Sequence, residues 1–276
     1  MGSFIALKEH VFEIRIFVLA IATTLFLQIL SNLANDYGDS KNGKDNAGRL
    51  GPVRTVQSGA ITLSEMKQMI LAFCLLSLAS GISLIFISDI QLFSASFFVL
   101  LFLGLIAIWA ALYYTIGKNP YGYSGWGDLS VFIFFGLFSV LGTFFLFAKD
   151  ILPDIILPAI AVGAFSIGVL NLNNMRDCTN DKITGKKTMV VKMGADKAKY
   201  YHFFLLSLPV VSSLIYLILN QNRWYAYIFL VMVVPIGLHA RRIRKIHNPT
   251  LFDKELKVLA IIALSFSLVF GICINI

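Results

Sequence analysis

The stretch LFLQILSNLANDYGDSKNGKD, residues 25–45, begins as an apolar run fit for a membrane and ends as an acidic helix face. Asn32, Asn35, Asp36 and Asp39 fall at i, i+3, i+4 and i+7, the spacing that places residues on one side of an α-helix. Gln28, one turn earlier, carries the polar stripe back into the apolar run. An Asp at the centre of a membrane helix costs about 2.5–3.5 kcal/mol to insert, so such a stripe is expected to face a cavity with partners rather than lipid. The reading is of a helix that leaves a bilayer along the wall of an internal chamber.

Composition extends that reading to the whole chain. Of 276 residues, 58% are hydrophobic and only 14% are charged, which excludes an ordinary soluble protein. Apolar runs near 14–31, 69–88, 92–116, 129–148, 152–172, 200–219, 224–240 and 256–276 each approach the roughly 20 residues that a bilayer core requires. The expected fold is an all-α integral membrane protein of about eight transmembrane helices. Loops after odd-numbered spans hold 19 of the 23 Lys and Arg, and Lys8, Arg15, Lys149 and Arg223 account for the rest. By the positive-inside rule, the loops 32–68 and 173–199 are expected on the cytoplasmic side of the membrane. The formal charge of +8 is then a matter of orientation, and no nucleic-acid partner is expected. Cys74, Cys178 and Cys273 are too scattered to indicate a disulfide framework or a zinc site.

A second acidic helix face ends the fifth run, in NLNNMRDCTNDKITGKK, residues 171–187. Asn174, Asp177 and Asp181 share a side at i, i+3 and i+7, and Asn171-Leu172-x-Asn174 echoes Asn32-Leu33-x-Asn35. The chain therefore reads as one domain with two pseudo-repeated halves, 1–148 and 149–276, which could bring two carboxylate faces together. Oxygen donors with no His or Cys among them favour Mg²⁺, a cation that habitually bridges a few carboxylates to phosphate. Arg49, Arg54, Lys118, Arg176, Lys186 and Lys187 lie on the same expected side, which suits a metal-bound polyanion such as diphosphate. Other polar features receive structural readings. HARRIRKIH, 239–247, is expected to be a cytoplasmic anchor, His202 an interfacial residue, and Tyr113, Tyr121, Tyr123 and Trp126 an aromatic belt. Tyr114 and Lys118 are set apart, being one turn from each other at the cytoplasmic end of the third run.

At Asn35-Asp36-Tyr37-Gly38-Asp39 and Asp177-Cys178-Thr179-Asn180-Asp181 the sequence resembles the UbiA superfamily of intramembrane prenyltransferases. NDYGDSKNGKDNAGRLGPVRTVQSG (35–59), YYTIGKNPYGYSGWGD (113–128) and NNMRDCTNDKITGKKTMVVKMG (173–194) extend the resemblance over nearly the whole chain. They point to the branch that prenylates 1,4-dihydroxy-2-naphthoate in menaquinone synthesis. The resemblance implies a helical bundle around a central cavity, Mg²⁺ as cofactor, and polyprenyl diphosphate and 1,4-dihydroxy-2-naphthoate as substrates. It makes Asn35, Asp36, Asp39, Asp177 and Asp181 metal-site residues, with Asn174 grouped beside them on the second face. Asp36, Asp39, Asp177, Asp181 and Tyr114 are the catalytic set that it implies, and the six cations become diphosphate-binding candidates. Tyr114 with Lys118 resembles the family's Tyr-x-x-x-Lys element. The implied outcome is a demethylmenaquinol, with loss of CO₂ and diphosphate.

The resemblance departs at one end. The family usually has nine spans, and MGSFIALKEHVFE, 1–13, looks like the tail of the first, so a leading helix is expected upstream of Met1. The alternatives are a sister enzyme with another aromatic acceptor, or a cation or metabolite transporter. A transporter would ordinarily place its polar site near the midplane, whereas both acidic motifs sit at the ends of spans.

Overall fold

The computed structural model describes residues 1–46, 48–221 and 223–276. A short helix, α1 (Gly2–Lys8), precedes eight long ones, and among the described residues these eight are long and apolar enough to cross a membrane. They are α2 (Ile14–Lys41), α3 (Leu63–Ile87), α4 (Ala95–Tyr113), α5 (Gly127–Ala148), α6 (Ile156–Ile183), α7 (Ala195–Leu219), α8 (Trp224–Lys245) and α9 (Phe252–Cys273).

Local chemistry sets their ends. Thr62 caps α3 in a reciprocal box, accepting the Glu65 amide at 3.2 Å while Glu65 accepts the Thr62 amide at 2.8 Å. Ser94 accepts the Phe97 amide to start α4. Lys149, at φ 60°, turns the chain out of α5 and returns its ammonium to the carbonyls of Leu146 and Phe147. Pro235 falls in the first turn of the α-helical part of α8, where its missing N–H costs least, and the segment ahead of it, Trp224–Met232, is 3₁₀. Two helices outrun their apolar cores: α2 continues past Ser31 to Lys41, and α6 past Leu172 to Ile183. Both acidic motifs therefore ride on unbroken helix, so the motif spacing is also a spacing in space.

The helices pack as two groups. α2, α3 and α4 share a small core of Leu30, Tyr37, Met66 and Ile70. A larger one joins α1 and α5 to α9 and also takes in Ile16 of α2 and Leu84 and Ile85 of α3; its aromatic centre puts the ring of Phe229 5.2 Å from that of Phe270 and 5.8 Å from that of Phe266. α6 is the central post: 61% of its apolar stretch is buried, against 11% in α4 at the rim. α5 adopts wide π-helical turns over Phe132–Gly142, an irregularity that the periodicity of its sequence does not announce. Val18, Ile21 and Leu25 on α2, and Phe98 and Phe102 on α4, are exposed at helical spacing, as lipid-facing residues are.

Two expectations fail here. His202 is fully buried rather than interfacial, with Nε2 3.1 Å from Nε2 of His239. His239 belongs to no anchor either, because its Nδ1 lies 2.6 Å from Oε2 of Glu255, whose other oxygen accepts Arg242 Nε at 2.6 Å. The reason is helical phase. His239 and Ile243 stand one turn apart on the inner face of α8, and the exposed part of the basic run is Arg241, Arg242, Arg244 and Lys245.

Candidate active site

A polar cavity of about 650 Å³ opens between the ends of α2 and α6, beneath the loop 42–62 and the segment 114–124. The helical phase of each motif points its acids inward: Asp36 and Asp39 from α2, Asp177 and Asp181 from α6. Gly38, inside the first motif, lies against Thr115, where a Cβ would fall 2.6 Å from the threonine hydroxyl oxygen. Thr115 in turn donates to the Ala34 carbonyl at 2.8 Å and to Asn35 Oδ1 at 3.3 Å. Glycine in this motif thus lets the 114–124 segment close on the helix.

The first motif meets partners from across the chamber. The Thr55 amide donates to Asp36 Oδ2 at 3.1 Å, and Asp36 Oδ1 is buried with no hydrogen-bond partner. Asp39 receives Arg54 Nη2 at 3.0 Å on Oδ2, and on Oδ1 it receives Lys186 Nζ at 3.0 Å and the Tyr123 hydroxyl at 2.5 Å. Lys186 also stands 4.0 Å from Asp181, so one cation spans both motifs. In the second motif Arg176 takes Asp177 with Nε at 3.2 Å and Nη2 at 2.7 Å, and reaches Asp253 of α9 with Nη1 at 2.8 Å.

The covering loop is tied down by charge. Asp45 lies 3.4 Å from Arg49 and 3.6 Å from Arg54. Burial pushes its carboxyl above the usual range, Arg54 pulls it back, Asp39 pushes it up, and Arg49 pulls it down again. Burial likewise lowers the Arg49 guanidinium, and the neighbouring Arg54 adds to that. The Asn180 amide reaches the Lys44 carbonyl at 3.3 Å, and Lys44 donates to the Thr184 carbonyl, so the loop is pinned to the end of α6.

Of the residues singled out from sequence, Asn35, Asp36, Asp39, Tyr114, Arg49, Arg54, Asn174, Arg176, Asp177, Asp181 and Lys186 all line this chamber. Lys118 and Lys187 do not. Lys118 follows Gly117, whose φ of 124° turns the chain away, and its side chain is exposed; the Tyr-x-x-x-Lys pair is thereby split. Lys187 is exposed as well, and joins the site region through its backbone, whose N–H donates to the Tyr123 carbonyl at 2.7 Å. Tyr121 and Tyr123 are not belt residues: Tyr121 donates to the Ala110 carbonyl, and Tyr123 is a partner of Asp39. Sequence reading also passed over Lys44, Asn173 and Asn180, which line the chamber. The one signal for Asn180 was its place inside the second motif.

A second, apolar cavity of about 560 Å³ runs between the two helix groups, walled by α2 to α6 with Leu27, Leu78, Ile82, Leu101 and Phe138 among its residues. The π-helical turns of α5 form part of that wall through Phe134, Phe135 and Phe138. Asn32, Asn35, Tyr114 and Leu170 line both cavities and so mark the seam where they meet. Burial raises the Tyr114 hydroxyl well above its usual range and Asp128 pushes it further, which keeps it a neutral donor at physiological pH.

The donor set fits Mg²⁺. All candidate ligands are hard oxygens, and a buried Asp36 oxygen is left without a protein partner. Among the described residues no three acids, histidines or cysteines close on a single point.

Comparison with known proteins agrees with this architecture. The chain is 39% identical over 257 residues to 1,4-dihydroxy-2-naphthoate octaprenyltransferase of Haemophilus influenzae, covering 93% of this chain and 83% of that one. It is 39% identical over 249 residues to the Escherichia coli protein of the same name, covering 90% and 80%. In fold it is similar to a UbiA homolog from Archaeoglobus fulgidus, solved bound to DMAPP and Mg²⁺, with a TM-score of 0.62 at 15% identity over 98% of this chain and 94% of that one. A structure of digeranylgeranylglyceryl phosphate synthase gives the same TM-score, at 19% identity over 99% and 90%. Residues 1–273 match the UbiA prenyltransferase family, and with two acidic helix ends meeting over a bipartite cavity, the chain belongs to that family.

Proposed function

We propose that the protein transfers a polyprenyl group from polyprenyl diphosphate to 1,4-dihydroxy-2-naphthoate, releasing CO₂ and diphosphate and forming a demethylmenaquinol. The observation that carries this is the seam. A charged chamber and an apolar one meet at Asn32, Asn35, Tyr114 and Leu170, which is the shape of a molecule with a diphosphate head and a hydrocarbon tail. The bacterial relatives named for this reaction at 39% identity support the acceptor.

Asp36, Asp39, Asp177 and Asp181, with Asn35 and Asn174, would hold Mg²⁺ at the head of the donor. When bound, Mg²⁺ supplies positive charge to the diphosphate oxygens as the leaving group forms. Arg49, Arg54 and Lys186 add fixed positive charge on the same side, so the allylic carbon–oxygen bond breaks with its electron pair going to diphosphate. The Tyr114 ring and hydroxyl stand at the seam, where the allylic cation is born. Its π-face attracts positive charge. A ring carbon of the acceptor forms the new carbon–carbon bond, and its carboxylate leaves as CO₂, returning the bonding pair to the ring. Water would capture the cation, so transfer requires that it be kept from the seam where the apolar cavity begins.

The protein is read as a single domain of the bacterial cytoplasmic membrane in which the halves 1–148 and 149–276 each give one acidic helix. The lysine and arginine distribution supports a cytoplasmic position for the site. The test is an assay in liposomes with labelled polyprenyl diphosphate and a panel of aromatic acceptors, with and without Mg²⁺. Transfer to 1,4-dihydroxy-2-naphthoate, with CO₂ and diphosphate released in equal amounts and none formed after chelation, is expected. A product that keeps its carboxylate, or preference for 4-hydroxybenzoate, would assign the chain to a sister reaction.

A further inference from the structure

Arg176 counts from sequence as a cation for diphosphate, but its guanidinium is committed elsewhere. Nε and Nη2 hold the two oxygens of Asp177, and Nη1 holds Oδ1 of Asp253, so all three nitrogens are engaged by carboxylates. The Arg176 side chain is 4% exposed; that of Asp253 is 34% exposed and does not line the chamber. Asp253 therefore has no direct access to substrate.

The arrangement is under electrostatic load. Gly51 of the covering loop presses on this guanidinium: a Cβ there would fall 2.7 Å from Arg176 Nη2 and 2.9 Å from Arg49 Nη2. Two guanidinium groups thus share one small region beneath the loop, and they repel each other. Asp177 answers the charge of Arg176 from the chamber side, and Asp253 answers it from α9. With Asp253 neutral, Arg176 would keep one carboxylate partner while Arg49 still pushed on it, and the fork that fixes the plane of Asp177 would lose its third point. The start of α9 is itself anchored. Glu255, two residues on, is bound by His239 and Arg242 of α8 at 2.6 Å each.

We propose that Asp253 is a positioning residue for prenyl transfer: acting through Arg176, it fixes the carboxylate of Asp177 at the chamber wall. The inference rests on the reading of Asp177 as a metal and diphosphate residue given under Proposed function. Residue 253 lies outside both acidic motifs, and its contribution comes from the last membrane helix.

The test uses the full chain with Asp253→Asn and Asp253→Glu. Farnesyl S-thiolodiphosphate, which resists ionisation, serves as probe, and its binding is read as the rise in Tm it causes across a Mg²⁺ series. Groups that hold a metal ligand from behind typically alter metal affinity by about 10–100-fold. Asp253→Asn should therefore raise the Mg²⁺ concentration for half-maximal binding by about tenfold, with turnover showing the same displacement. Asp253→Glu, which keeps the charge, should recover most of it. Arg176→Lys should mimic Asp253→Asn, and the double variant should be no worse than either single one. An Asp253→Asn chain with a lower ligand-free Tm but an unchanged Mg²⁺ midpoint would show a strut with no role at Asp177, and would overturn the proposal. Should Asp253→Asn fail to fold, an Asp253→Glu chain with a Mg²⁺ midpoint displaced as far as that of Arg176→Lys would overturn it too. A wild-type chain that binds the probe equally with and without Mg²⁺ would instead refute the metal reading of Asp177, and the positioning role with it.

Discussion

The two acidic motifs each put a pair of aspartates on one helix face, three residues apart at Asp36 and Asp39 and four apart at Asp177 and Asp181, and they differ in how they are held. Asp39 is met by three groups from three distant places, Arg54 in the loop, Tyr123 after α4 and Lys186 after α6. Asp177 is met by its own neighbour, Arg176, which is braced in turn by Asp253. The first motif is thus assembled by tertiary closure, while the second is largely preformed on its helix. Helical phase fixes where the carboxylates point, and the surrounding chain decides how tightly each is held.

The largest expected effect removes the likeness between the motifs. Asp36→Ala, Asp39→Ala, Asp177→Ala and Asp181→Ala should each lower kcat by about 10²–10³-fold, as loss of charge stabilisation at a reacting centre does, with membrane insertion unchanged. Near-normal rates in any two of the four would refute the site. The difference between the motifs is sharpened by Tyr123→Phe, which removes one charge-assisted hydrogen bond from Asp39 alone. About tenfold weaker donor binding is expected, corresponding to about 1.5 kcal/mol, with no change in the Asp177 contacts. Equal binding by Tyr123→Phe and wild type in a competition assay would show that the first motif needs no closure from the 114–124 segment.

A smaller effect probes the apolar chamber. Gly81 on α3 and Gly104 on α4 line it, and a Cβ added at either meets nothing within 4 Å. At about 1.5 Å per residue, Gly104 stands roughly 15 Å from Tyr114 along its helix. Gly104→Leu should slow long polyprenyl donors several-fold while sparing geranyl diphosphate, so that product analysis shows the ranking of donor lengths shift downward. An unchanged ranking would place the tail elsewhere. Smallest of all are Lys118→Ala and Lys187→Ala. These exposed side chains should alter donor KM by less than about twofold, in line with the roughly 0.5 kcal/mol limit for ordinary surface changes. A tenfold rise would return them to the site.

Much of this was legible before the structure, for a physical reason. Polar residues cannot sit in a membrane helix without a purpose, so the stripe from Gln28 to Asp39 and its echo from Asn174 to Asp181 stood out against eight apolar runs. The cations were harder. Lys118 and Lys186 look alike in sequence, yet the turn at Gly117 sends one to solvent while the other spans Asp39 and Asp181. Tyr123 was hidden among aromatic residues that a membrane boundary would also favour. His202 and His239 were misread because polar residues at span ends usually face water, whereas here the two rings meet Nε2 to Nε2 within the α7–α8 contact. The π-helical course of α5 leaves no periodic trace, since its residues are apolar on every side.

The composition of the polar chamber has one more implication. Five cations line it, Lys44, Arg49, Arg54, Arg176 and Lys186, against four carboxylates, Asp36, Asp39, Asp177 and Asp181. So nearly balanced a lining favours neither a bare divalent ion, which the arginines and lysines repel, nor a bare diphosphate, which the aspartates repel. Each ligand screens the other from the groups of its own sign. Should both bind here, as proposed, their affinities would be thermodynamically linked, and by reciprocity the factor by which Mg²⁺ tightened the prenyl donor would equal the factor by which the donor tightened Mg²⁺.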